Sequence, residues 1–126
     1  MKSIIISIVI ASVVITGGIF YTNSLDAISG EMTSRINAVK EHINNEDFEN
    51  ATKSAERLHD FFRKKRFFLA GTVDHSLIVK IEENYAEMQL YTREEQRYDA
   101  LAKCDALLYY FEYLPSNYSL KAENIL

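Results

Sequence analysis

The amino terminus of the chain is an apolar stretch without charged residues. Between Ser3 and Leu25 there is no Asp, Glu, Lys or Arg, and the first half reads IIISIVIASVVI. A helix needs about 20 apolar residues to cross the roughly 30 Å hydrocarbon layer of a bilayer, whereas the core of a cleaved signal peptide has about 7 to 15. The length predicts an uncleaved transmembrane signal-anchor over residues 1–24. A cleaved signal is the alternative, with TGG at 16–18 as its only passable site.

The charges on either side of this stretch predict its orientation. Lys2 precedes it, and Asp26 and Glu31 follow it. The short positive side of such an anchor stays in the cytoplasm. No second long apolar run follows, so we expect a single-pass protein of the cell membrane whose carboxyl-terminal domain is extracytoplasmic.

The remaining chain suffices for one small domain. The protein has 126 residues and a formal net charge of -4, and an acidic balance argues against a nucleic-acid binder. Cys104 is the only cysteine, so no internal disulfide can form. We expect its thiol to be buried like a small apolar group, with an intermolecular bridge as the alternative.

Residues 25–115 are predicted to form an all-α bundle, because apolar residues recur at three- and four-residue steps. The predicted stripes are Leu25, Ile28, Met32, Ile36, Val39 and Ile43; Phe48, Ala51, Ala55, Leu58 and Phe62; Leu77, Ile81, Tyr85 and Met88; and Tyr98, Leu101 and Leu108. Short connections force neighbouring helices to run antiparallel. The predicted fold is therefore a single transmembrane helix followed by an antiparallel four-helix bundle made of two αα-hairpins.

Capping residues predict where the helices begin and end. The first helix is predicted to stop at Asn44-Asn45, with Asn45 as the cap of the second helix and Gly71 near its end.

The third helix is predicted to begin at about Asp74, which caps it. The fourth begins at a capping box formed by Thr92 and Glu95 and ends at Pro115. Residues 116–126 remain as a carboxyl-terminal strap.

The two hairpins match each other in sequence. One offset aligns the first helix with the third and the second with the fourth. The aligned pairs are Ile28 with Leu77, Met32 with Ile81, Ile36 with Tyr85, Val39 with Met88, Ala51 with Ala100, Ala55 with Cys104, Leu58 with Leu107 and Phe62 with Phe111. Internal duplication and chance alignment of two heptad-like hairpins both account for this match.

The segment FFRKKRFF at 61–68 combines bases with aromatic residues. A helix of about 20 residues rises roughly 30 Å, so the second and fourth helices both return to the level where the first leaves the membrane. Phe67 and Phe68 are predicted to point away from the core, and rings and bases favour the headgroup level. The predicted membrane-interface residues are Arg63, Lys64, Lys65, Arg66, Phe67, Phe68, Tyr109, Tyr110 and Tyr113.

Two other interpretations of this segment remain. The bases can complement the carboxyl end of the second helix while the phenylalanines pack on the strap. Bases and rings also serve nucleic-acid binding, but one short cluster on an acidic, external domain is too little for it.

No catalytic, cofactor or metal site is predicted. His42 with Glu46 and His59 with Glu56 have the spacing of two ligands on one helix face, but such pairs are common on solvated faces. No H-E-x-x-H motif occurs, and His75 follows a capping aspartate. The chain is therefore predicted not to be an enzyme and to hold no cofactor.

The anchor carries one packing feature. Ser3, Ser7 and Ala11 place small residues at four-residue steps on one helix face. Such faces allow close helix approach, so they are candidates for homodimerisation or for docking to another membrane protein.

The segment from Val73 onward resembles domain-of-unknown-function family 4363, whose pattern is like I-D-H-x-E-I-D-x-I with an ending like x-N-I-L. The matching residues are Val73, Asp74, His75, Ile78, Ile81, Asn124, Ile125 and Leu126. Leu77 and Val79 stand where the family pattern has carboxylates. The resemblance implies a short anchored helical protein of spore-forming Firmicutes with a multi-pass membrane protein as partner, and it implies no activity.

These features together predict a membrane-anchored extracytoplasmic helical module. Its expected role is a non-enzymatic interaction or scaffold function for another envelope protein, with membrane lipid as a second partner. The alternative is a sensor that binds a small ligand between the helices and acts through a membrane partner.

Overall fold

The computed structural model of the protein is all-α, as the sequence predicts. It describes the backbone of residues 2–125 and the side chains of residues 2–16 and 24–112. Within this range there are four helices and no strand: α1 (Lys2–Asn44), α2 (Phe48–Thr72), α3 (His75–Arg93) and α4 (Arg97–Ile125).

The helices form an antiparallel bundle with a closed ring of neighbours. α1 packs on α2 and α4, and α3 packs on the same two helices, with α2 and α3 sharing the smallest contact. The connections are residues 45–47, 73–74 and 94–96. Because these connections are short, consecutive helices run antiparallel, and the chain forms two αα-hairpins.

The core contains most of the predicted apolar stripes of the first three helices, whereas on α4 it uses other positions than the three predicted ones. The buried apolar residues are Leu25, Ile28, Met32, Ile36, Val39, Ile43, Ala51, Ala55, Leu58, Phe62, Leu69, Val73, Ile78, Ile81, Tyr85, Met88, Ala100, Cys104, Leu107 and Phe111. Tyr98, predicted to be a core residue, is 80% exposed because it precedes the buried face of α4, which starts at Ala100. On α3, Ile78 is buried and Leu77 only packs against the edge of the core. Three other predicted core residues also pack only against its edge: Phe48, Leu101 and Leu108.

Each hairpin turns through the same hydrogen-bonded motif. After α1, Glu46 N–H donates to Ile43 O and Asp47 N–H donates to His42 O, at 3.0 and 2.9 Å. Glu46 has a φ of 59°, so this is a Schellman motif with a glutamate in the left-handed position.

Asp47, and not Asn45, therefore caps α2, and its side chain accepts from Asn50 N–H. The prediction that Asn45 is the cap was wrong, because Asn45 and Glu46 belong to the turn and α2 begins only at Phe48.

The turn after α3 repeats this geometry. Glu95 N–H donates to Thr92 O and Gln96 N–H donates to Tyr91 O, at 3.2 and 2.9 Å, and Glu95 has a φ of 58°. The predicted capping box was wrong, since Thr92 lies inside α3 and its buried hydroxyl donates to Met88 O.

The turn between α2 and α3 is shorter than the other two. Gly71 lies inside α2, which ends at Thr72. Asp74 occupies the predicted cap position of α3, but the carbonyl rather than the side chain accepts there, from Leu77 and Ile78 N–H.

At the amino terminus, α1 includes the residues predicted as a separate anchor. Within the described residues, no helix combines the length and apolarity of a membrane-crossing segment. α4 continues through Pro115 to Ile125, so the prediction that the fourth helix ends at Pro115 was wrong. The side chains of residues 17–23 and of residues 113–126, which include the predicted strap, lie outside the described set.

Candidate functional site

The amino-terminal part of α1 exposes apolar side chains on every side of the helix. Nine large residues between Ile4 and Ile15 are each 55 to 67% exposed. They are Ile4, Ile5, Ile6, Ile8, Val9, Ile10, Val13, Val14 and Ile15. Leu25 is 2% exposed, so the bundle covers α1 there but leaves this part of the helix uncovered.

The predicted small-residue face lies on this uncovered part. Ser3, Ser7 and Ala11 are all exposed. The Ser7 hydroxyl donates to Ser3 O at 2.9 Å, so its polar group is satisfied within the helix. The face is therefore accessible to another helix, and the predicted dimer stays a prediction.

A groove lies between α1 and α2 where the bundle begins. It is open and has a volume of about 580 Å³. Its lining residues are Ser24, Ala27, Ile28, Glu31, Phe61, Lys64, Lys65, Phe67 and Phe68. The small Ser24 and Ala27 leave this space on α1. Both residues are visible in the sequence, but the helix that lies opposite them is not.

Four consecutive bases, Arg63 to Arg66, surround α2 near this groove. Arg66 pairs with Glu82 of α3 at 3.0 Å, and Lys65 lies 5.7 Å from the Phe61 ring centroid. Arg63 and Lys64 are exposed and, among the described residues, form no ion pair. These two charges are thus available to an external anion.

The interpretation of these bases as complements of the helix end does not fit their position. The last turn of α2 contains no basic residue. The field of a helix end falls off within about one turn, and Arg63 and Lys64 precede Thr72 by more than two turns. Stabilisation of α2 by its own dipole therefore does not account for them.

The two phenylalanines of the segment behave differently. Phe67 is 93% exposed, as predicted. Phe68 packs against the edge of the core, so the prediction that it points away was wrong. Residue 68 lies about 100° further around the helix, which turns its ring toward the groove and α1.

The aromatic residues of α4 reach the same half of the bundle. The rings of Phe62 and Phe111 meet edge to face with centroids 6.4 Å apart, and the Ser29 hydroxyl donates to Phe111 O. Tyr109 is exposed and Tyr110 packs against the core. The predicted Tyr113 lies outside the described side chains.

The interior of the bundle is closely packed. The enclosed cavity next to Leu58, Phe62 and Tyr85 has a volume of about 10 Å³. Burial raises the pKa of Tyr85 to about 12, with the charges of Glu56 and Asp60 adding to the effect. The Tyr85 hydroxyl donates to Ala55 O at 3.0 Å.

Cys104 is fully buried, and burial raises the pKa of its thiol to about 12. The sequence predicted a buried thiol, and the structure confirms the burial.

The histidines do not gather into a site. His42 lies 3.9 Å from a carboxylate oxygen of Asp47, His59 stacks on Tyr85 with centroids 4.4 Å apart, and His75 is exposed at the start of α3. Among the described residues there is no group of three or more His, Cys, Asp or Glu side chains that could hold a metal ion.

The family comparison agrees with the resemblance seen in the sequence. The model of a family described as Domain of unknown function (DUF4363) matches residues 19–125. No curated protein sequence and no solved structure matches the chain. The match covers most of the chain, and this protein belongs to the DUF4363 family.

Proposed function

We propose that this protein is a membrane-anchored helical module that holds its four-helix bundle outside the cytoplasmic membrane and binds another envelope protein there. The observation that carries the proposal is the exposed apolar surface of α1 between Ile4 and Ile15. A helix that is apolar all round is normally buried in protein or in a membrane.

The exposure of this apolar surface to water has a large free-energy cost. Burying a Val or Ile side chain contributes about 1.5 to 3 kcal/mol, so nine such residues left more than half exposed forgo on the order of 10 kcal/mol. Whole domains are stable by only about 5 to 15 kcal/mol. A bilayer removes this cost on all sides of a helix at once, and the single base Lys2 before it favours an amino terminus in the cytoplasm.

The packed interior supports a scaffold role over the sensor alternative. A cavity of about 10 Å³ is close to the limit for one water molecule. Pockets for small molecules are usually about 300 to 1,000 Å³ and enclose most of the ligand, whereas the groove of about 580 Å³ between α1 and α2 is open to solvent. Recognition in this proposal therefore uses the outer surface of the bundle, and we propose no chemical reaction.

Fractionation of cells that express the full-length protein tests the anchor. We expect the protein in the membrane fraction, with the bundle digested by protease added to intact spheroplasts. The variant Ile8→Arg/Ile10→Arg should shift to the soluble fraction. Its matched control, Leu90→Arg/Tyr98→Arg, replaces two exposed apolar residues of the bundle and should stay in the membrane. Wild-type protein found in the soluble fraction would contradict the proposal.

Crosslinking in intact cells tests the partner. We expect an envelope protein to be crosslinked to the bundle and identified by mass spectrometry of the purified adduct. The Ile8→Arg/Ile10→Arg variant is the control, because it should lose the adduct together with its membrane location. A protein that gives no adduct at native abundance would contradict the partner part of the proposal.

A further inference from the structure

We infer that the end of α2 is a second membrane contact, in which Arg63 and Lys64 bind anionic phospholipid headgroups and Phe67 inserts between them. The inference rests on the proposed anchor, since the anchor brings this end of the bundle to the lipid surface. It adds a lipid class and a docking face that the anchor alone does not require.

The first support is the location of the patch. Ser24 and Ala27 of α1 line the same groove as Phe67 and Lys64 of α2. A segment of about 20 residues ahead of Ser24 fills the hydrocarbon layer, so this groove falls at the headgroup level.

The second support is the exposure of Phe67. At 93% it is the most exposed of the large apolar side chains in the described part of the chain. Its neighbours on α2 are accounted for by the protein, because Phe62 is in the core and Phe61 and Phe68 pack against it. Phenyl rings partition well to the layer between headgroups and acyl chains.

The third support is charge complementarity. Arg63 and Lys64 precede Phe67 by one helical turn and so lie beside it on the same outward face. Among the described residues they form no ion pair, whereas the adjacent Arg66 pairs with Glu82. Bases at a membrane surface attract anionic lipid, and the attraction decays within a Debye length.

Tryptophan fluorescence tests the inference, because the protein has no tryptophan of its own. The full-length variant F67W is reconstituted in vesicles of phosphatidylcholine with or without phosphatidylglycerol, with bromine on the acyl chains as quencher. We expect a shift of the emission to shorter wavelength and strong quenching in the anionic vesicles. The control Y98W places the reporter at an exposed site at the start of α4, at the opposite end of the bundle, and should show neither.

A second pair of variants tests the charges. R63S/K64S, made in the F67W background, should lose most of the quenching. K53S/R57S removes the same charge from the same helix at a greater distance from the groove and should keep it. Raising the salt concentration to 1 M shortens the Debye length from about 8 to about 3 Å and should weaken the quenching in F67W.

Four results would overturn the inference. If F67W floats with the vesicles but is quenched no more than Y98W, the patch does not touch lipid and is free to contact a protein, while the anchor stands. If quenching is equal in neutral and anionic vesicles, or equal in the two double-serine variants, the bases do not recognise anionic lipid. If the protein fails to float with either vesicle, the proposed anchor and this inference both fall.

Discussion

Glu46 and Glu95, 49 residues apart, have nearly the same left-handed backbone conformation, with φ of 59° and 58°. The two hydrogen bonds that close each turn also correspond at this spacing. The offset that aligns the apolar stripes in the sequence therefore aligns the turns in space. This agreement extends to residues outside the core and favours internal duplication over chance alignment.

Glycine at position 95 should stabilise the protein. A non-glycine residue with left-handed φ costs roughly 1 to 2 kcal/mol, and glycine avoids this cost. Glycine also loses more conformational entropy on folding, which offsets part of the gain. We expect E95G to raise the free energy of unfolding in urea by about 0.5 to 1 kcal/mol. The control E94G, at a residue with φ of -86°, should lower it. A loss of stability in E95G would contradict the geometry of this turn.

Ser29 should contribute more to stability than an ordinary surface hydroxyl. Its hydroxyl donates to Phe111 O, and position 115, which would normally donate to that carbonyl within a helix, is a proline without an N–H. We expect S29A to cost about 1 to 3 kcal/mol, because a buried acceptor loses its donor.

A double-mutant cycle separates this cause from simple loss of packing. P115A restores a backbone N–H at position 115, so S29A should cost much less in that background than in the wild type. An equal cost in both backgrounds, measured by urea denaturation, would show that the proline is irrelevant to the role of Ser29.

Stability should fall at alkaline pH. Burial raises the pKa of Cys104 from 9.0 and of Tyr85 from 10.0, each to about 12. The folded protein thus holds these protons more tightly than the unfolded chain, and the free energy of unfolding declines as pH rises from about 9 through about 12. Between pH 9 and 10 the decline comes mainly from the cysteine. C104A should flatten the curve of urea midpoint against pH in that interval, and Y85F should leave it unchanged there.

The ion pair between Lys40 of α1 and Asp105 of α4 should matter little. The atoms are 2.8 Å apart, and the hydrogen bond raises the pKa of Lys40, but both side chains are more than a third exposed. Solvent screens such pairs, so D105N should change the free energy of unfolding by less than about 1 kcal/mol. Thermal denaturation of D105N and of S29A compares the ion pair with the Ser29 hydrogen bond, since both join α1 to α4. A larger loss in D105N would contradict this ranking.

Much of the fold could be predicted from the sequence, since the spacing of apolar residues identified four helices and most buried positions of the first three, although not the buried face of α4. The turns could not be predicted in detail. Their left-handed positions hold Glu46 and Glu95, and glutamate carries no signal for that conformation, whereas the nearby Asn45 and the Thr92–Glu95 pair resemble caps. The residues that resemble caps are therefore not the caps, because the backbone hydrogen bonds that close each turn set where the next helix starts.

The candidate site was predictable only in part. The charge and aromatic content of residues 61–68 marked the segment, and the helical period placed Phe67 outside. The groove forms only where α1 and α2 lie side by side. Ser24 and Ala27 line it together with residues of α2 because α2 extends beyond the level of Leu25, and the sequence does not show how far it extends.

The repeated turn geometry gives several buried positions a buried counterpart of different chemistry in the other hairpin. Ile36 corresponds to Tyr85, Ile43 to Thr92, and Ala55 to Cys104, and all six side chains lie in the interior. Each pair shows how the two halves fill corresponding interior positions with side chains of different size or polarity. Copying a residue from one half into the other therefore has two requirements. The receiving site must have room for the new side chain, and a transferred hydroxyl must find an acceptor there.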